Sequence, residues 1–211
     1  MKIKICGINN RENLKQILGL QPDYLGFIFY KNSPRYMKDT LLPADLQHIG
    51  VKNTGVFVNS PSDEVEKAIK DFNLDAIQLH GQEEPDYCAY FKVKNIEVIK
   101  VFKIDDEFDF DTTMAFQDAC HYFLFDTKGK DPGGNGSSFN WNVLKKYNQE
   151  IPFFLSGGIG IENMEQIKSL KDLNIYGIDL NSKVEHSAGI KDVNKVRRAI
   201  SILKNSKTYS E

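Results

Sequence analysis

Lys2-Ile3-Lys4-Ile5-Cys6-Gly7-Ile8-Asn9-Asn10, at the start of the chain, decides the fold. Ile3 and Ile5 alternate with Lys2, Lys4 and Cys6, the period of a β-strand with two unlike faces. The turn that follows lacks the GxGxxG spacing usual after the first strand of an open doubly wound sheet. Comparable apolar runs recur at residues 23–29, 53–58, 76–80, 97–102, 122–126, 152–156 and 176–180. Their starts lie roughly 21 to 30 residues apart, about one strand plus one helix. Eight such alternations predict an α/β fold with a parallel sheet, closed into a (β/α)8 TIM barrel. The open doubly wound sheet is the second choice.

The intervening segments carry helix signals. Asn9 with Glu12 fits a capping box, ahead of an apolar stripe at Leu14, Ile17 and Leu18. Ser60-Pro61 reads as an N-cap and first-turn proline before Val65, Ala68, Ile69 and Phe72. Leu42-Pro43 reads as another helix start, and Met164, Ile167 and Leu170 as another stripe. Val193, Val196, Ile200 and Leu203 mark the last helix. At 211 residues the chain is short for a barrel, so its helices and loops must be lean. With no linker-like stretch, residues 1–205 read as one domain and 206–211 as a polar tail.

With 27 basic and 29 acidic side chains, net charge −2, neither nucleic acid nor an anionic membrane is expected as partner. No apolar run approaches the ~20 residues of a membrane span. No leader-like segment opens the chain, and Cys6, Cys88 and Cys120 form neither a zinc pattern nor an even set. A reducing, cytoplasmic location is expected.

Barrel enzymes place their chemistry at the C-terminal ends of the strands. The polar residues there are Cys6, Asn59, His80, Asp126, Ser156 and, one position inside, Asp179. Alternation points Lys4, Cys6 and Asp126 into the barrel mouth, because Ile3, Ile5, Phe123 and Phe125 take the helix-facing side. Taken singly, Cys6 reads as a small buried hydrophobe and Asp126 as a loop cap. On strands one and six of a closed barrel they face each other across the mouth. Ser156-Gly157-Gly158 follows strand seven, and Asn181-Ser182 follows strand eight. Loops in those places often cradle phosphate, although tight left-handed turns alone would also call for glycine. Gly133-Gly134-Asn135-Gly136 after strand six can complete the cradle or act as a lid. Arg35 is suited to a carboxylate if it is not simply a solvated surface residue. His80 reads most simply as a packed or hydrogen-bonding histidine.

Lys4-Ile5-Cys6-Gly7, Ser33-Pro34-Arg35-Tyr36, Gln78-Leu79-His80-Gly81, Asp126-Thr127-Lys128-Gly129 with the glycine loop after it, Ser156-Gly157-Gly158 and Gly189-Ile190-Lys191-Asp192 occur in order along the chain. Together they resemble the phosphoribosylanthranilate isomerase family of tryptophan biosynthesis. The resemblance implies an Amadori rearrangement of N-(5-phosphoribosyl)anthranilate, with neither metal nor organic cofactor. It implies Asp126 as general acid and Cys6 as general base. It places Arg35 on the anthranilate carboxylate, Asp179 and His80 in the substrate pocket, and Gly157, Gly158, Asn181 and Ser182 on the phosphate. The partner is then the small phosphosugar–anthranilate substrate, and the protein a monomer or homodimer.

A free thiol is mostly protonated at neutral pH, so such a base needs a cation beside it, and Lys4 is the candidate. A protonated Asp126 needs burial or a like charge, which Asp179 can supply. Two departures from the family pattern bear on the phosphate grip. Lys183 stands where a glycine is usual, implying strain if φ must be positive or an added charge if not. Ser137-Ser138 lacks the usual basic residue. A related phosphate-binding lyase such as indole-glycerol-phosphate synthase would want a catalytic lysine and glutamates at the strand ends. A non-catalytic phosphate-binding barrel would tend to lose either the acid or the base.

Overall fold

Eight parallel strands close on themselves in chain order. They are β1 (Lys2–Cys6), β2 (Tyr24–Ile28), β3 (Lys52–Phe57), β4 (Ala76–Leu79), β5 (Glu97–Ile104), β6 (Tyr122–Thr127), β7 (Phe153–Leu155) and β8 (Ile175–Leu180). β8 closes the ring by pairing with β1, from Lys2 opposite Gly177 to Ile5 opposite Leu180. This computed structural model describes residues 1–37, 40–128 and 140–205. The glycine loop at 133–136, Ser137-Ser138 and the tail at 206–211 lie outside them.

The two faces of each strand part as the alternation requires. Ile3, Ile5, Phe123 and Phe125 join one large core with Leu14, Ile17, Val65, Phe91 and Val196 from the surrounding helices. Tyr24, Ala76, Ile99, Val101, Leu124 and Phe154 form a separate cluster that fills the barrel interior. Tyr24 and Phe154 meet edge to face there, with centroids 5.4 Å apart. Lys4 and Gln78 sit on this inward face, fully buried.

The outer layer is leaner than eight α-helices. Among the described residues four helices are α-helical: α1 (Arg11–Leu18), α2 (Ser62–Phe72), α3 (Pro85–Lys92) and α4 (Val193–Asn205). Pro43–Leu46, Phe110–Phe116, Trp141–Lys146 and Met164–Leu170 are 3-10 helices. A 3-10 turn rises about 2.0 Å per residue against 1.5 Å for an α-helix, so it crosses the barrel wall with fewer residues. The cap of α1 differs from the expected one. Asn10, not Asn9, accepts from the Asn13 N–H at 2.9 Å, while the Asn9 backbone N–H donates to the Gly189 carbonyl. α2 begins one residue later than Ser60 as its cap suggests, with Pro61 at its N-cap.

After β8 a short 3-10 turn, Ser182–Val184, leads into a small antiparallel pair, β9 (Glu185–Ser187) and β10 (Ile190–Lys191). Lys183 lies in that turn and is not among the residues with positive φ, so no left-handed strain arises there. Cys88 and Cys120 are buried and free, in keeping with packing for Cys88. No helix among the described residues is long and apolar enough to cross a membrane.

Candidate active site

The barrel mouth holds a cavity at the C-terminal ends of the strands. Cys6, Gln78, His80, Asp126, Asp179 and the segment Ser156 to Ile159 line it, with Asn181, Ser182 and Lys183. With Ile28 of β2 and Val56 of β3 also in the lining, seven strand ends far apart in the chain share one space. Cys6 ends β1 and packs with Ile28 and Val56. Its sulfur has room only because β2 carries Gly26 opposite, where a Cβ would come within 2.6 Å of Sγ.

A buried polar chain crosses the floor of the cavity. The Lys4 ammonium donates to Asp179 Oδ1 at 2.9 Å and to Gln78 Oε1 at 2.7 Å. Gln78 Nε2 lies 3.2 Å from His80 Nδ1. His80 Nε2 lies 3.5 Å from Asp126 Oδ2 and has no hydrogen-bond partner. Asp126 Oδ1 accepts from the Thr127 N–H at 2.9 Å. Burial works against the Lys4 charge, but Asp179 and Cys6 outweigh it and hold its pKa above the ordinary lysine value.

Cys6 titrates the other way. Burial pushes its thiol above the ordinary value of 9.0; Lys4 and Lys191 oppose this, and Asp179 reinforces it. Lys4 is therefore the cationic neighbour that the sequence suggested, yet it does not by itself make a thiolate. Lys4→Met should move the Cys6 pKa still higher. The check is the rate of Cys6 alkylation against pH, read by mass spectrometry of its peptide; a profile like the wild type's would refute the electrostatic role. The variant should also lose roughly 3–5 kcal/mol of stability, because Asp179 stays buried without its counter-ion.

The β7 side of the mouth is built by Gly157 and Gly158, with φ of +86° and +64°. A Cβ on Gly157 would run into the backbone and hydroxyl of Thr127, so β7 can turn this close to β6 only through glycine. Thr127 Oγ1 is buried there without a partner. Lys183 reaches the cavity and pairs with Glu162 at 3.4 Å. Among the described residues no set of three His, Cys, Asp or Glu side chains could hold a metal ion.

Arg35 stands apart from this floor. Its Nε and Nη2 clamp Glu185 at 2.9 Å and 2.8 Å. Lys191, fully buried, donates to the same carboxylate at 2.6 Å and to Asn181 Oδ1 at 2.8 Å. Burial pulls the Lys191 pKa down to about 8 against the pull of Glu185. Burial also disfavours the Glu185 charge, but Arg35 and Lys191 hold its carboxyl below the usual range. Sequence reasoning gave no role to Glu185, Lys191, Gln78 or Thr127. The signal for Lys191 was a lysine inside Gly189-Ile190-Lys191-Asp192, which alone reads as surface. A second unforeseen ion pair, Lys100 with Glu83 at 2.8 Å, is also buried. Glu83 accepts from the Asn59 and Gly81 N–H groups and ties the β3 and β4 loops together.

The fold and the mouth define a (β/α)8 barrel enzyme with an acid, a thiol and a pair of glycines at the C-terminal strand ends. The profile of the N-(5'phosphoribosyl)anthranilate (PRA) isomerase family matches residues 3–201. The N-(5'-phosphoribosyl)anthranilate isomerase of Phocaeicola vulgatus is 39% identical, over 97% of this chain and 98% of the relative. The crystal structure of phosphoribosyl anthranilate isomerase from Thermotoga maritima superposes with a TM-score of 0.81 at 29% identity, covering 97% of this chain and 99% of that one. A phosphoribosyl anthranilate isomerase in complex with reduced 1-(o-carboxyphenylamino)-1-deoxyribulose 5-phosphate matches with a TM-score of 0.79 at 28% identity and the same coverage. The chain belongs to the phosphoribosylanthranilate isomerase family of tryptophan biosynthesis.

Proposed function

We propose that this chain converts N-(5-phosphoribosyl)anthranilate to 1-(2-carboxyphenylamino)-1-deoxyribulose 5-phosphate, with Asp126 as general acid and Cys6 as general base. The observation that carries the assignment is that both groups line one cavity from β1 and β6, beside the glycine cradle. Asp126 gives its proton to the ribose ring oxygen as the C1′–O bond breaks and the nitrogen lone pair forms the iminium. The Cys6 thiolate takes the proton from C2′, and the freed electron pair makes the enolamine. Proton movement from the C2′ hydroxyl to C1′ then gives the ketone, so atoms and charge balance without a cofactor.

In this scheme backbone N–H groups around Gly157, Gly158, Asn181 and Ser182 take the phosphate, and Asp179 and His80 border the sugar. Arg35 reaches the anthranilate carboxylate only by exchanging it for Glu185, its present partner. The reaction itself is tested by fluorescence. Substrate made in situ from anthranilate and phosphoribosyl pyrophosphate should lose its anthranilate-type emission when the protein is added, with EDTA present or absent. Emission that decays at the buffer rate would overturn the reading.

A further inference from the structure

The chain of contacts on the cavity floor determines where a proton can reside. Lys4 is an ammonium, and an ammonium only donates, so the Gln78 atom 2.7 Å from it must be the amide oxygen. The Gln78 amide nitrogen therefore faces His80 Nδ1, 3.2 Å away, and donates to it. A ring nitrogen that accepts carries no proton, so the neutral imidazole bears its proton on Nε2. That nitrogen is the one aimed into the cavity, 3.5 Å from Asp126 Oδ2 and otherwise without a partner. Gln78 and His80 are both more than nine-tenths buried, so water does not substitute freely for these partners.

We propose that Gln78 is a positioning residue that locks His80 in the Nε2–H form and thereby keeps the catalytic proton on Asp126. The inference rests on Asp126 being the general acid. A bare Nε2 beside Asp126 would offer its lone pair to the proton meant for the ring oxygen, and a protonated Nε2 has none to offer. In the locked form the basic nitrogen faces away from Asp126 and is occupied by the Gln78 N–H. Gln78 cannot turn over to release it, because its NH2 group would then face the Lys4 ammonium. His80 meets the cavity as a hydrogen-bond donor, able to hold a substrate oxygen but not to compete for the acid's proton. Asp179 accepts from Lys4 at the far end of this chain.

The test is long-range 1H–15N correlation spectroscopy of histidine-labelled protein without ligand, with His80 assigned by the signal lost in His80→Asn. The expected wild-type spectrum shows a protonated Nε2 and an accepting Nδ1. Gln78→Glu puts a carboxylate oxygen against Nδ1 and should move the proton there, with kcat lower by about 10²-fold and KM within about threefold. Gln78→Met removes the donor and should give a mixed tautomer with a smaller loss. A wild-type spectrum with Nδ1 protonated overturns the proposal. So does an unchanged His80 spectrum in Gln78→Glu, or a moved proton with unchanged kcat. Failure of the acid assignment itself would show elsewhere, as turnover in Asp126→Asn.

Discussion

Asp126→Asn should lower kcat on the order of 10³-fold, with KM changed by less than about threefold. The substitution keeps the shape of the side chain and its Oδ1 acceptor but removes the only proton the scheme delivers to the ring oxygen. Structural collapse is not expected to confuse the result. The asparagine Oδ1 can still accept from the Thr127 N–H, as Asp126 Oδ1 does at 2.9 Å. Its amide nitrogen then takes the place of Oδ2, facing His80. Turnover should be followed by loss of substrate emission, and folding by the thermal transition. A rate near the wild type's would remove Asp126 from the acid role.

Cys6→Ala should produce a loss of similar size for the opposite reason, since nothing else in the scheme accepts the C2′ proton. The side chain is 3% exposed and packed with Ile28 and Val56, so alanine leaves a small cavity costing about 1 kcal/mol. The pH dependence adds a second signature. Because burial holds the Cys6 thiol above its ordinary value, the thiol is mostly protonated at neutral pH and its thiolate grows as the pH rises. In the free enzyme kcat/KM should therefore climb with pH across the neutral range. The groups facing Cys6 that shape the climb are Lys4, Asp179, Lys191 and Arg35. The residual rate of Cys6→Ala should lack it. A flat wild-type profile, or a variant that keeps the climb, would take the base role from Cys6.

Much of the barrel was legible because its signals are local. Strand β1 has the bounds read from the alternation of Lys2 to Cys6, and the other strands differ by one or two residues at their ends. The same alternation set Cys6 and Asp126 on the cavity side and Phe123 and Phe125 on the helix side. The helices were read less well. The stripe at Met164, Ile167 and Leu170 is buried as expected, but its segment winds as a 3-10 helix. An apolar stripe reports which side faces the core and does not separate 3.0 from 3.6 residues per turn over seven residues. The choice of Asn9 as cap missed by one residue, for either asparagine is chemically able to cap a helix.

By itself the sequence determined the eight-strand barrel, its inward and outward faces, and which strand ends carry a thiol, an acid and glycines, because each follows from residue order and the period of two along a strand. Only the tertiary structure decided what those groups touch. Lys4 meets Gln78 and Asp179 across separations of 74 and 175 residues, and Arg35 meets Glu185 across 150. The direction of the Cys6 pKa is likewise a balance of burial against charges brought by β1, β8 and β10. Such balances depend on distance and on the exclusion of water, and neither exists until the barrel has closed.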